Sequence, residues 1–163
     1  VRTTHPAPRA AEVRDIEELT RLHVAGGLGQ PVTDTWRTTH GAGLARRMFH
    51  RDPHCIAVVL DAPDQTSRLA SAAVGFIHQG LCRPDNARGL TAHLSSVVTM
   101  PAYRHRGYAR TVVNAFIALA GERGCPTVTL QARPEAAGLY EQLGFVSAGN
   151  VLILDIQRTR AAG

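Results

Sequence analysis

The sequence contains no lysine; all 18 of its basic side chains are arginine. Most stand apart, as at Arg9, Arg21, Arg37, Arg51, Arg68, Arg88 and Arg158, and only Arg104, Arg106 and Arg110 crowd together. A net charge of +5 spread this way is not the clustered basic face of a nucleic-acid footprint, so no nucleic-acid partner is expected. Cysteine is scarce. Cys55, Cys82 and Cys125 are odd in number and widely separated, which argues against a disulfide framework and against a thiolate metal site. The eight histidines form no HExxH pattern, and no metal is expected. No apolar run approaches the roughly 20 residues that cross a bilayer, so no membrane partner is expected. The first fifteen residues lack the apolar core of a secretory signal, and the expected location is cytoplasmic. GxxxxGK[ST] and GxGxxG are both absent, which disfavours ATP, GTP and dinucleotides as ligands.

What is present suits one globular domain spanning residues 1–163, with 44% hydrophobic residues and no internal repeat or linker. "EVRDIEELTRLHVAG" reads as an amphipathic helix with Ile16, Leu19, Leu22 and His23 on one face and Gly26 and Gly27 at its end. "VTDTWRTTHGAGLARRMFH" reads as a second helix, capped by Thr33 or Asp34, with Trp36, His40, Leu44 and Met48 at i+4 steps. Gly41 and Gly43 weaken that helix, and a bend or break is expected there. "CIAVVLDA" and "ASAAVGFIHQGL" then read as a hairpin and "TAHLSSVVTM" as a third strand. A helix follows with Ala109, Val112, Val113, Phe116, Ile117 and Ala120 on one face, then the strand "TVTLQA". "PEAAGLYEQLG" reads as a short helix with Pro134 in its first turn and Gly144 after its end. "FVSAGNVLILDI" closes as strand, turn and strand. The expected fold class is α/β (α+β): a mixed, mostly antiparallel sheet of about six or seven strands with about four helices.

The chemistry concentrates in "YRHRGYARTVV", where two arginines and a histidine lead through one glycine into a helix. A helix start leaves its first N–H groups unpaired and carries partial positive charge. Placed after a strand it makes an anion site, and Gly107 lets the backbone approach a bulky anion because no Cβ intervenes. A pyrophosphate held by backbone amides fits this pattern. A basic helix start merely facing solvent fits it as well.

The string Arg104-His105-Arg106-Gly107-Tyr108-Ala109 resembles the R/Q-x-x-G-x-G/A signature of the GNAT superfamily of acyl-CoA-dependent N-acyltransferases. Leu139-Tyr140-Glu141-Gln142-Leu143-Gly144-Phe145 resembles its recurring LYxxLGF element, and the correspondence runs from about Leu90 to Val146. The resemblance implies a splayed fourth strand, with acetyl-CoA as acyl donor. It implies an acceptor-side half at residues 1–90 and a donor-binding half at 91–156. Val97, Val98 and Thr99 match the strand that meets the pantetheine arm, with the Val98 amide beside the thioester carbonyl. Arg104 to Ala109, continued by Arg110 and Thr111, match the pyrophosphate loop. Tyr140 matches the tyrosine that protonates the leaving thiolate; a phenol with a pKa near ~10 can do so. A packing aromatic is the plain alternative. His93 falls where several members place a catalytic carboxylate and is the candidate base, with His78 and a water chain as others. Arg133 stands where an asparagine usually meets the cofactor arm, which puts that contact in doubt and offers a phosphate contact instead.

The implied acceptor is a small-molecule amine, bound by the first two helices and the third-to-fourth strand connection. Trp36, His40 and His78 are its candidate contacts. Within residues 26–50 and 78–90, the stretches that the acceptor pocket draws on, only Asp34 and Asp85 are carboxylates, which tells against a polycation. A protein amine, or a member that binds acyl-CoA without transfer, is the alternative. A homodimer fits the resemblance.

Overall fold

A computed structural model describes residues 6–27, 30–65, 68–147 and 149. The chain falls into two compact units, one ending at Gln131 and one beginning at Ala132.

In the first unit a short strand β1 (Arg9–Ala10) leads through a 3₁₀ turn (Val13–Asp15) into α1 (Ile16–Ala25) and α2 (Asp34–Phe49). Strands β2 (Cys55–Asp61), β3 (Leu69–Gln79) and β4 (Leu90–Thr99) follow, then α3 (Tyr108–Glu122) and β5 (Val128–Leu130). The sheet order is β1-β2-β3-β4-β5. The first four strands are antiparallel, and β5 joins β4 in parallel after the α3 crossover. The expected class of mixed, mostly antiparallel sheet with helices is what the chain adopts.

Each sheet face is covered by the apolar side of a helix whose periodicity is visible in the sequence. Leu19 and Leu22 of α1 and Leu44 of α2 are buried with Val59, Leu69, Ala72 and Val74, and Phe76, Met48 and Val98 pack against them. Val112, Val113, Phe116 and Ala120 of α3 are fully buried, and Phe116 meets the sheet's other face at Gly75. Arg9 ties the start of the chain together. Its guanidinium donates to Asp15 at 2.7 and 2.9 Å and to Asp61 at 2.7 and 3.0 Å. Burial alone would raise the Asp15 carboxyl, but hydrogen bonds from Arg9 and the Glu12 amide hold it below its ordinary value.

Three expectations need correction. α2 runs unbroken through Gly41 and Gly43. Each glycine costs ~1 kcal/mol of propensity, but the Thr33 hydroxyl caps the helix by accepting from the Trp36 N–H at 3.1 Å, and buried Leu44 holds it to the sheet. Second, five strands rather than six or seven appear among the described residues. Of the two strands expected across 145–156, Phe145 to Ser147 are not strand, and residues 148 and 150–156 lie outside the described residues. Third, β1 was not expected, since two residues carry no alternation to read. Among the described residues no helix is long and apolar enough to cross a membrane.

In the second unit a 3₁₀ turn (Pro134–Ala136) leads into α4 (Ala137–Gln142), followed by Gly144 at φ 89°. That left-handed glycine stops the helix where the sequence places its stop.

Candidate active site

The site begins with an irregularity in β4. Val74 pairs with Ser96 and Gly75 with Leu94, so Ser95 has no partner on β3 and forms a bulge. Among the described residues β5 pairs only with Ala92 to Leu94, leaving the rest of β4 with an edge that β5 does not cover. The orientation of that edge follows from the ladder. The Met100 N–H donates to the Ala70 carbonyl at 2.9 Å, and antiparallel pairs alternate in exchanging hydrogen bonds. Ser96 and Val98 therefore direct their N–H and C=O toward β3, while Val97 and Thr99 direct theirs to the edge that β5 leaves uncovered among the described residues. The Val98 carbonyl accepts from the Ser71 hydroxyl of β3 at 2.9 Å, in agreement. The outward amide at this point is thus that of Val97, not the Val98 amide expected from sequence. Val98 contributes its side chain instead, packed where a Cβ on Gly26 would come within 2.8 Å of it.

The loop that follows β4 carries two left-handed residues, His105 at φ 59° and Gly107 at φ 82°. Gly107 is the N-cap of α3, so the first-turn amides of a fifteen-residue helix open there without an intervening Cβ. Arg104, His105, Arg106 and Gly107 are all exposed. The Arg104 Nε donates to the Thr99 carbonyl at 3.3 Å, joining the loop to the uncovered edge. The Thr111 hydroxyl donates to the Gly107 carbonyl at 3.2 Å, which fixes the first turn. Ala109 and Arg110 are half-buried on α3. The Tyr108 side chain packs in the interior beside the Tyr103 ring at 5.9 Å, which leaves its backbone at the helix start. Tyr103 is itself buried, with its hydroxyl donating to the Asp64 carboxylate and the Arg106 guanidinium 5.8 Å over its ring.

His93 lies before the bulge, paired with Phe76, and so shares the sheet face that α1 and α2 cover. Its Nδ1 is 3.0 Å from the Thr129 hydroxyl, and its ring is 6.3 Å from that of His78. It stands four positions before Val97, about 13 Å along a strand. His78 also lines a 560 Å³ cleft at the β3–β4 connection with Thr91, Arg83, Asp85 and Asn86. A larger 820 Å³ groove between α1 and α2 includes none of the residues from Val97 to Thr111.

Trp36 and His40 come together on α2, their rings stacked at 4.6 Å. His23 of α1, which the sequence reading treats only as part of a helix face, joins them edge-on at 4.7 Å from His40. The Thr20 hydroxyl donates to the Ile16 carbonyl at 2.9 Å and so accepts from the His40 Nδ1–H at 3.2 Å. His23 Nδ1 likewise donates to the Leu19 carbonyl at 2.8 Å. Both imidazoles thereby keep Nε2 as their basic atom. Burial lowers both pKa values, and the neighbouring His23 lowers that of His40 further. His23 lies one helical turn from Gly26, which abuts Val98.

In the second unit, Arg133 is exposed and caps the 3₁₀ turn, its carbonyl accepting from the Ala136 N–H at 2.9 Å. Tyr140 is half-buried, with its ring edge-on to Phe145 at 5.7 Å, and burial raises its phenol above the ordinary value. An ordinary phenol is already protonated at neutral pH, as a proton donor requires, and burial holds that proton more firmly. Among the described residues no group of three or more His, Cys, Asp or Glu is placed to hold a metal ion.

The edge of β4 that β5 does not cover among the described residues leads into the Gly107-capped start of α3. The chain belongs to the acetyltransferase (GNAT) family, whose model matches residues 22–145. Glucosamine 6-phosphate N-acetyltransferase 1 of Oryza sativa subsp. japonica is 34% identical over 93 residues, which is 57% of this chain and 53% of that protein. The chain spans about half the length of the curated relatives it matches. Among solved structures, a predicted acetyltransferase of Clostridium acetobutylicum with acetyl-CoA superposes with a TM-score of 0.77 at 17% identity, covering 93% of this chain and 96% of that one. The aminoglycoside N-acetyltransferase AAC(6′)-Iy in complex with CoA gives 0.73 at 18% identity, covering 94% and 96%. At such identities the two structures establish the fold.

Proposed function

We propose that the chain is an N-acetyltransferase that moves an acetyl group from acetyl-CoA to a small-molecule amine by direct attack, and that residues 1–163 act as one functional domain. The observation that carries this reading is the continuity of the uncovered β4 edge with the Gly107-capped start of α3. The outward N–H and C=O groups of Val97 and Thr99 suit a pantetheine arm, which pairs with a strand edge as another strand would. The amides of Arg106, Gly107 and Ala109, with Arg104, Arg110 and Thr111 around them, suit a pyrophosphate. Arg133, exposed at the start of the second unit, carries a guanidinium of a kind that suits a phosphate. These fits support acetyl-CoA, which supplies the activated acyl group when bound.

The roles of the side chains follow from their chemistry. The Val97 N–H stabilises charge on the reacting carbonyl oxygen. Tyr140 gives its proton to the departing thiolate. The amine must shed a proton before it attacks, and His93 takes it through a water, because about 13 Å of strand separates it from Val97. His23 is a second candidate for this step, since its Nδ1 is engaged with the Leu19 carbonyl, which makes Nε2 its basic atom, and it lies a turn from the residue that abuts Val98. Trp36, His40 and His78 are the acceptor contacts. Residues 26–50 and 78–90 carry only two carboxylates, Asp34 and Asp85, so a singly charged amine such as an amino sugar suits them better than a polycationic aminoglycoside.

The test is thiol release from acetyl-CoA against a panel of amino sugars, amino-acid amines, an aminoglycoside and an N-terminal peptide. Amine-dependent release with an amino sugar or amino-acid amine supports the reading. CoA binding without release with any amine would instead identify a non-catalytic member.

A further inference from the structure

The loop assigned above to the pyrophosphate is held by two anchors, one of which reaches a segment far away in sequence. His105 and Gly107 hold left-handed conformations, and a non-glycine residue stays there only where its surroundings dictate it. One anchor is the Arg104 Nε on the Thr99 carbonyl. The other is Tyr103, which immediately precedes the loop and closes the 3₁₀ turn after β4, its N–H donating to the Met100 carbonyl at 2.9 Å. Its ring lies under the loop, with Arg106 5.8 Å above it and Tyr108 5.9 Å beside it. Only 4% of Tyr103 is exposed, and its hydroxyl donates to the carboxylate of Asp64, 39 residues earlier in the β2–β3 connection. Arg21 of α1, 3.5 Å from the Met100 sulfur, is the other charged group that faces it.

We propose that Asp64 and Tyr103 form a brace that presets the Arg104–Thr111 loop for the pyrophosphate of CoA, and that both are positioning residues for donor binding. The inference rests on the reading that this loop holds the pyrophosphate. A hydrogen bond to a carboxylate is among the stronger kinds. A loop fixed before binding loses less conformational freedom when the anion arrives. Removing the hydroxyl leaves the ring's packing in place and frees the loop from the β2–β3 connection.

The experiment measures Kd for CoA by calorimetry and, by displacement, for 4′-phosphopantetheine, which lacks the pyrophosphate. The proteins are the wild type, Tyr103→Phe and Asp64→Asn, each checked for cooperative thermal unfolding. Tyr103→Phe is expected to weaken CoA roughly tenfold, the scale of a lost hydrogen bond to a charged group. Its affinity for 4′-phosphopantetheine stays within twofold of the wild type. Asp64→Asn keeps an acceptor oxygen and is expected to lose less than Tyr103→Phe. An unchanged CoA Kd in Tyr103→Phe overturns the brace and leaves the loop's assignment standing, as does equal weakening of both ligands. A wild type that binds both ligands equally removes the loop's assignment and the brace together.

Discussion

Replacing Gly75 by alanine probes the geometry from which the site is built. Gly75 lies on β3 opposite the β4 bulge, and a Cβ there would sit 2.2 Å from the His93 carbonyl oxygen and 2.7 and 2.8 Å from two Phe116 ring carbons. The ring could turn, but the carbonyl belongs to the β4 backbone and cannot yield without disturbing the register. Overpacking of this kind costs about 1–3 kcal/mol, and a backbone neighbour puts it at the upper end, about 3 kcal/mol. In a domain of this size each kcal/mol shifts Tm by ~2–4 °C, so Gly75→Ala is expected to melt ~6–12 °C below the wild type by circular dichroism. Gly43→Ala is the matched control. Its Cβ meets nothing within 4 Å, and it replaces a helix-interior glycine. It is expected to gain ~0.5–1 kcal/mol and to melt a few degrees higher, about 1–4 °C on the same scale. A Gly75→Ala protein that melts within 2 °C of the wild type would refute the reasoning, because the bulge would then not depend on the missing side chain.

Three further outcomes are expected. Gly107→Ala places an L-residue at φ 82° at a cost of ~1–2 kcal/mol, which should reduce the binding-competent loop population and weaken CoA by ~5–30-fold; calorimetric Kd values equal to the wild type would contradict it. Tyr140→Phe keeps the ring against Phe145 and removes the proton donor, so kcat in the thiol-release assay should fall by ~10²–10⁴ with the acetyl-CoA KM nearly unchanged; an unaltered kcat would remove the acid role. Thermal stability should decline from about pH 6.5 downward. His23 and His40 are held below the ordinary imidazole pKa by burial, so the unfolded chain binds more protons than the folded one as pH falls through that range. Asp15, Glu18 and Asp61 are held below their ordinary values and keep their contributions until pH falls to about 4. A Tm profile flat between pH 7 and 5, or an equal decline in a His23→Gln/His40→Gln protein, would contradict this.

The helices and the central strands were legible because their cores are built from periodic apolar residues. Val112, Val113, Phe116 and Ala120 of α3 all fall in the interior, and Cys55–Asp61 and Leu69–Gln79 pair as the hairpin their pattern suggests. The start of α3 was legible because its left-handed N-cap demands a glycine, and Gly107 is one. The edge geometry was not. One unmatched residue, Ser95, resets the alternation of β4 and moves the outward amide from Val98 to Val97, and no composition or periodicity announces a bulge. The continuity of α2 was misjudged because helix propensity counts its glycines and not the sheet contact made by Leu44. His23 beside His40 and Asp64 against Tyr103 are contacts between distant segments, which a single sequence does not pair. The spacing Thr20–His23 on α1, against Trp36–His40 on α2, is the one trace of the first contact that the chain itself carries.

The central claim is that the β4 edge and the Gly107 loop bind the donor. Calorimetric titration of the purified chain with acetyl-CoA, desulfo-CoA and ATP tests it most directly. The account predicts binding of both CoA forms with near-unit stoichiometry and no binding of ATP, because the loop reads a pyrophosphate attached to a pantetheine arm that pairs with Val97 and Thr99. Heat from ATP alone, or none from either CoA form, would contradict it and leave Arg104–Thr111 as a basic helix start facing solvent.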